Sequence, residues 1–173
     1  MLAGIGAARL RDRWGARRGW TAVAVGILAV VNAEALRAPL DYVPFDGIPR
    51  IYDTLNAVPP GAVLELPIYG PTAIFRNAPY LVNSTRHWRP LVNGYSGFTP
   101  PGYRDIYRRM RHFPHPWAID WLREHHVTQV VLHASAFEAL KGRAQLEKVE
   151  MSPDIALETA DGDIRVYRVL PAR

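Results

Sequence analysis

The chain has 173 residues, 49% of them hydrophobic and 21% charged, which is an ordinary balance for one globular domain. It contains no cysteine, and this excludes disulfides, thiolate metal sites and cysteine nucleophiles. The six histidines show no metal-ligand spacing, and the glycine fingerprint of a dinucleotide-binding fold is missing. We therefore expect neither a metal nor another cofactor.

The net charge of +5 is concentrated in two basic blocks. Residues 1–20 hold five arginines against one aspartate, and residues 86–111 hold six arginines against one aspartate. The first block precedes an uncharged apolar run, which is typical of a membrane-directed segment whose arginine side stays in the cytoplasm. The second block coincides with an aromatic, glycine-rich and proline-rich segment, described below.

The apolar run predicts a membrane segment. We assign residues 1–19 to a basic cytoplasmic segment and 20–34 to a single transmembrane helix. The twelve apolar residues from Trp20 span only about 18 Å as a helix, against a hydrocarbon core of about 30 Å. The hydrophobic region of a signal peptide remains an alternative, because Ala33-Glu34-Ala35 offers a cleavage pattern that would release a secreted protein after Ala35.

The rest of the chain predicts a small α/β fold. Residues 35–58 are interpreted as a linker with a short helix over 48–58, and residues 59–173 as an extracytoplasmic α/β domain. The elements expected in that domain are a strand over 62–68, helices over 103–113 and 117–125, a strand over 127–133, a helix from a Ser135 cap to 146, and strands over 155–159 and 164–170. This order favours a small mixed sheet with flanking helices and a C-terminal β-hairpin.

The segment from His87 to Pro101 combines aromatic rings with several glycines and prolines, so neither a helix nor a strand accommodates it. A segment that keeps its aromatics is more often a shaped loop than a disordered one, and such loops carry function. The candidate ligand-binding residues lie on it or near it: Glu65, His87, Trp88, Arg89, Asn93, Tyr95, Arg104 and Arg108.

Glu65 interrupts an apolar strand, where a charge is costly unless it is paired. It is either a general acid/base or substrate acceptor, or the partner of Arg86 or Arg89 in a salt bridge. His87 is either a proton shuttle or a structural histidine. His133 ends a strand, where it either reaches a site at the edge of the sheet or has a structural role. No residue is assigned a catalytic role.

The second basic block suits a phosphate-bearing partner. Arginines beside exposed aromatics fit RNA, phosphate headgroups or a lipid-linked diphosphate, and they also fit a solvated helix face without a partner. If residues 20–31 lie in the membrane, this block lies outside the cytoplasm, where nucleic acid is not available. We therefore expect membrane lipid as a partner and no nucleic acid.

Several motifs together carry a resemblance: Pro-Pro-Gly-Ala-Val-Leu-Glu-Leu-Pro at 59–67, the run from Ser84 to Phe98, Phe113-Pro114, and Val-Val-Leu-His at 130–133. They resemble the C-terminal extracytoplasmic region of bacterial multi-spanning membrane proteins of the GT-C glycosyltransferase type. The resemblance covers about residues 30–170 and implies a polyprenyl-phosphate sugar as ligand. The catalytic acidic residue of such enzymes lies in an early extracytoplasmic loop that has no counterpart here.

These observations lead to three hypotheses. The first is a single-pass membrane protein with its N-terminus in the cytoplasm, whose periplasmic domain is an accessory or remnant part of a glycosyltransferase and is not catalytic alone. A multi-spanning partner encoded upstream would complete it. The second is a secreted binding protein released after Ala35. The third is a soluble cytoplasmic enzyme that uses Glu65 and His87 as an acid/base pair.

Overall fold

The computed structural model describes residues 19–35 and 45–172, and the chain divides into two compact units, 1–45 and 46–173. In the first unit, helix α1 runs from Trp20 to Ala35 over 16 residues. The predicted basic segment before residue 19 and the predicted linker residues 36–44 lie outside the described residues.

Helix α1 forms where the apolar run predicts a helix, and its residues 21–33 are exposed. Within residues 19–35 and 45–172, however, no helix combines the length and the apolar character that crossing a membrane requires. The assignment of residues 20–34 to a transmembrane helix therefore stays a prediction.

The second unit is an α/β domain, as predicted. Its helices are a 3₁₀ helix Arg50–Asn56, a 3₁₀ helix Pro71–Asn77, α2 (Ala78–Ser84), α3 (Tyr103–Met110), α4 (Pro116–Glu124), α5 (Ala134–Lys141) and α6 (Arg143–Glu150). Its strands are β1 (Ala62–Leu66), β2 (Val127–His133), β3 (Ile155–Asp161) and β4 (Ile164–Val169). The two helical segments between residues 71 and 84 are not among the predicted elements.

The four strands form one mixed sheet in the order β1-β2-β4-β3. Strand β1 runs parallel to β2, while β4 is antiparallel to both β2 and β3. The predicted C-terminal hairpin is confirmed, with Gly162 and Asp163 as its two-residue loop. Gly162 has φ +54°, a conformation that suits a residue without a Cβ.

The two faces of the sheet bury different cores, because successive side chains of a strand point to opposite faces. The larger core contains Leu64 and Leu66 of β1 with residues of helices α3 to α6. The smaller core contains Val63 of β1, Val131 of β2, and three residues of the 3₁₀ helix Arg50–Asn56: Ile51, Tyr52 and Leu55. Glu65 alternates with Leu64 and Leu66, and it therefore points toward the smaller core.

The single helix predicted from a Ser135 cap to residue 146 is wrong in two respects. Gly142, with φ +85°, separates α5 from α6, because this backbone conformation cannot continue a right-handed helix. Ser135 does not cap the helix, since His133 occupies the cap position and makes no side-chain capping bond. Instead Asp163, from the hairpin loop, accepts hydrogen bonds from the Ser135 backbone N–H at 2.7 Å and from its hydroxyl.

Candidate functional site

Glu65 is fully buried in the domain, where two polar side chains contact its carboxyl group and a third contacts one of these two. The Tyr52 hydroxyl donates to Oε2 at 2.9 Å, and His133 Nε2 lies 2.7 Å from the same oxygen. Asn83 Nδ2 donates to the Tyr52 hydroxyl at 2.9 Å. We call Tyr52, Glu65, Asn83 and His133 the buried polar cluster. Each of its members comes from a different segment, so the cluster joins β1, the end of β2, α2 and the 3₁₀ helix Arg50–Asn56.

Burial determines the electrostatics of this cluster. It raises the pKa of Glu65, and the hydrogen bonds from His133 and Tyr52 offset that effect only in part. Burial and the nearby carboxylate also raise the pKa of Tyr52, which keeps the phenol protonated as a donor. Glu65 Oε1 is buried without a hydrogen-bond partner among the described residues. An unpartnered oxygen costs less in a neutral acid than in a carboxylate, which agrees with the raised pKa.

The expected salt bridge between Glu65 and an arginine is wrong. Arg86 instead makes two hydrogen bonds to Asp53, with Nε–Oδ1 and Nη2–Oδ2 distances of 2.5 and 3.0 Å. Arg89 donates from its guanidinium to the backbone carbonyls of Val58 and Pro59. Both arginines therefore hold the 3₁₀ helix Arg50–Asn56 and the turn after it, and the partner of Glu65 is His133.

His87 lies beside the buried polar cluster without contacting Glu65. Its ring stacks on Tyr52, with centroids 6.1 Å apart, and its Nδ1 accepts from the backbone N–H of Arg89 at 3.0 Å. Burial and the charge of Arg89 lower the pKa of His87, which favours the neutral ring. The structure therefore does not form the acid/base pair of Glu65 and His87, because His133 takes the place expected for His87.

Asn93 joins the loop to β1 through its side chain. The Glu65 backbone N–H donates to Asn93 Oδ1 at 3.0 Å, and Asn93 Nδ2 donates to the Glu65 carbonyl at 2.7 Å. Two residues earlier, Leu91 forms a parallel bridge with Val63, flanked by bonds of 2.9 and 3.0 Å. The segment 90–93 thus runs along the outer side of β1, and the amide of Asn93 is used entirely inside the protein.

The other predicted ligand-binding residues lie nearer the surface. Trp88 is 83% exposed and has φ +54°, while Tyr95 is half-buried against the larger core. Arg104 and Arg108 are exposed on α3, one turn apart, and we call these two residues the arginine stripe. Arg108 Nη1 lies 3.3 Å from Asp105, a pair too exposed to hold the guanidinium firmly.

Helix α3 is fixed at its first residue. Asn77 Nδ2 donates to the Tyr103 hydroxyl at 2.7 Å, and this hydroxyl donates to the Tyr69 carbonyl at 2.5 Å. Burial raises the pKa of Tyr103 to about 12, so the hydroxyl keeps its proton. The arginine stripe is therefore presented from an anchored helix.

Sequence reasoning did not find Tyr52 or Asn83. Tyr52 occupies an apolar face of a short helix, and Asn83 carries no local signal for its role, because their contact joins residues 31 positions apart. His133 was considered, but nothing in the sequence pairs it with Glu65, 68 positions away. Within the described ranges, no group of three or more His, Cys, Asp or Glu residues could hold a metal ion.

Fold and site together define a small α/β domain with a four-stranded mixed sheet and a buried Glu–His pair. No family model, no curated protein and no solved structure matches this chain.

Proposed function

We propose that the α/β domain is an accessory recognition domain for a phosphate-bearing, lipid-linked ligand, and that it has no catalytic activity alone. The observation that carries this proposal is the exposure of Arg104 and Arg108 on one face of an anchored helix. Guanidinium groups bind phosphate through several donors at once. The exposed rings of Trp88 and Phe98, on the loop that leads to this helix, supply apolar surface.

The state of the acid/base groups supports recognition rather than catalysis. Glu65 is fully buried, and His87 is 6% exposed. Glu65 Oε2 and His87 Nδ1 are already bonded to protein groups, and burial keeps both side chains from a substrate, which a catalytic group must reach within hydrogen-bond distance. The His133 side chain, 17% exposed, connects the buried polar cluster to the surface.

The setting of the domain is part of the same proposal. Residues 20–34 anchor the chain in the membrane as a single span, with the basic N-terminus in the cytoplasm and the domain outside it. The motifs resemble the C-terminal region of GT-C glycosyltransferases, and this resemblance supports a polyprenyl-phosphate sugar as ligand and a multi-spanning partner. The arginines before the apolar run support the orientation.

A secreted binding protein is the second candidate. The observations that favour it are the 16-residue length of α1 and the Ala33-Glu34-Ala35 pattern at its end. N-terminal sequencing of the protein isolated from cells distinguishes the two candidates. Leu36 as the first residue supports release, whereas an intact Met1 supports a retained anchor.

A binding experiment tests the recognition proposal. The full chain in a nonionic detergent is titrated with farnesyl phosphate, and farnesol serves as the uncharged control. We expect preference for the phosphate, and roughly fivefold weaker binding for each arginine removed in R104A/R108A, since one basic residue near an anionic headgroup contributes about 1 kcal/mol. The matched control is R50A/R168A, which removes two arginines that lie off α3.

Equal affinity of R104A/R108A and the parent chain would contradict the proposal, as would equal binding of farnesol. The proposal that the domain has no catalytic activity alone has its own test. Sugar transfer by the purified chain from a polyprenyl-phosphate donor would show that proposal to be wrong.

A further inference from the structure

A shallow groove of about 940 Å³ lies on the α/β domain, away from the buried polar cluster. One wall is the turn between α3 and α4, with Arg111, His112 and His115. The other wall consists of the end of α5 and helix α6, with Lys141 and Lys148. Arg111 directly follows α3, so the groove begins one turn beyond Arg108.

Both lysines of the chain lie in this groove. The chain contains only two lysines, Lys141 and Lys148, and both line the groove. Among the described residues, no carboxylate lies within ion-pair distance of either lysine or of Arg111. Three cations therefore face one concave surface without an ion-pair partner among the described residues.

The two carboxylates of the lining, Glu147 and Asp154, lie within ion-pair distance of arginines outside it and not of these three cations. Arg143 Nε lies 3.3 Å from Glu147, and Arg123 Nη2 lies 2.8 Å from Asp154. Burial and the nearby charge of Arg111 lower the pKa of Lys141. Cations that lie near each other in a partly desolvated groove favour an anion between them.

The remainder of the groove is largely apolar. Met151 is 82% exposed at its edge, and Pro114, Pro116, Ala144 and Pro153 contribute further apolar surface. An unbranched, polarizable methionine side chain adapts to apolar ligands of varied shape. A site that combines apolar surface with a few polar groups at one end suits an amphiphilic anion.

We propose that this groove binds a phosphate ester, with the phosphate between Arg111, Lys141 and Lys148 and the organic part against Met151 and the prolines. This proposal rests on the proposed function, from which it takes the class of ligand, a phosphate ester. Its residues are separate from the arginine stripe, so each can fail without the other.

Ligand binding in the groove can be followed directly through the signals of the two lysines. Reductive methylation of the full chain with ¹³C-formaldehyde, in a nonionic detergent, labels Lys141, Lys148 and the N-terminal amine, and it preserves their charge. Methyl phosphate and butyl phosphate are then titrated in turn. We expect saturable shifts of both lysine signals, with tighter binding of butyl phosphate by up to about fourfold for each methylene buried.

The variant R111A should weaken butyl phosphate binding at least fivefold, whereas R50A should leave it unchanged. Absence of saturable lysine shifts would overturn the inference, as would equal affinities for the two phosphate esters. A third arm adds phosphatidic acid in nanodiscs. Lysine shifts in this arm identify a lipid headgroup as ligand, and shifts only with the soluble esters identify a free phosphate ester.

The R104A/R108A variant separates the two proposals. If its lysine signals respond to butyl phosphate as in the parent, while farnesyl phosphate affinity is also unchanged, the groove stands and the recognition function of the arginine stripe fails. If the lysine signals of the parent do not respond to butyl phosphate, while R104A/R108A loses affinity for farnesyl phosphate, the groove proposal is wrong and the proposed function stands.

Discussion

Glu65 Oε2 lies 2.7 Å from His133 Nε2, on the face of the sheet that packs against the smaller core. Strands β1 and β2 are parallel, and Glu65 is in register with Val131, so His133 extends from the same face two residues further on. The parallel pairing of β1 with β2 thus brings these two side chains into hydrogen-bond contact. The effect of this contact on the stability of the domain can be measured.

The stability of the domain should depend on the ionisation of Glu65. Its pKa is raised above the ordinary value of 4.5, so the folded state holds this proton more tightly than the unfolded chain. The resulting stabilisation is fully present below about pH 4.5 and is lost as the pH rises through the folded-state pKa. We expect the unfolding free energy of the wild type to fall, relative to E65Q, between pH 5 and pH 8.

Urea unfolding of the two full-length proteins at both pH values measures this difference. The two proteins differ only at residue 65, so the difference reports the Glu65 carboxyl group and the contacts that it makes with Tyr52 and His133. A difference that does not change between pH 5 and pH 8, or that changes in favour of the wild type at pH 8, would contradict the raised pKa of Glu65.

Removing the Tyr52 hydroxyl should destabilise the domain. Y52F leaves Glu65 Oε2 without one donor and Asn83 Nδ2 without its acceptor, both in a buried site. We expect a loss of about 1 to 3 kcal/mol in the free energy of unfolding. The control is Y95F, because the Tyr95 ring packs at the edge of the larger core, and it should change stability by less than about 0.5 kcal/mol. Equal losses for Y52F and Y95F would remove the special role of the Tyr52 hydroxyl.

The Asn93 side chain should protect the backbone of β1 from solvent. N93A removes both hydrogen bonds to the Glu65 backbone, and we expect the Glu65 amide hydrogen to exchange faster. Hydrogen exchange followed by NMR measures this effect at a single amide. S96A, an exposed change in the same loop, should leave the exchange rate unaltered. An unchanged Glu65 amide in N93A would mean that the strand edge closes without Asn93.

Asp163 should stabilise helix α5 from outside the helix. Its carboxylate accepts the Ser135 backbone N–H near the helix N-terminus, where negative charge is also favoured. We expect D163A to cost about 1 kcal/mol of stability, as substitutions of helix caps do. Thermal or urea unfolding of D163A and of D161A, its exposed neighbour in the hairpin, provides the comparison. A loss as large in D161A would attribute the effect to the hairpin instead.

The sequence predicts the strands of this fold better than its helices. The β-branched run at 127–133 and the hairpin about Gly162 are local signals, and both elements form as expected. The break at Gly142 was missed because the apolar pattern continues across it, and only the positive φ of the glycine separates α5 from α6. The cap from Asp163 was missed because it comes from a residue 28 positions away.

The buried polar cluster could be predicted only in part. A charge within an apolar strand correctly marks Glu65 as a residue in need of a partner. The choice of partner depends on which strands are neighbours and in which register, and no local pattern contains that information. Arginines looked favourable because of their charge, but Arg86 and Arg89 lie where Asp53 and the carbonyls of Val58 and Pro59 can accept their hydrogen bonds.

The pairing of segment 90–93 with β1 also bears on self-association. Val63 and Glu65 direct their backbone N–H and C=O groups away from β2, and the loop satisfies all four groups. A strand from another molecule therefore finds no free backbone groups on that side. The opposite outer strand, β3, has a register irregularity between Leu157 and Thr159, a feature that disfavours edge-to-edge pairing. Both edges of the sheet thus oppose polymerisation by strand addition. The β1 edge is already paired with segment 90–93, and the register of the β3 edge is irregular.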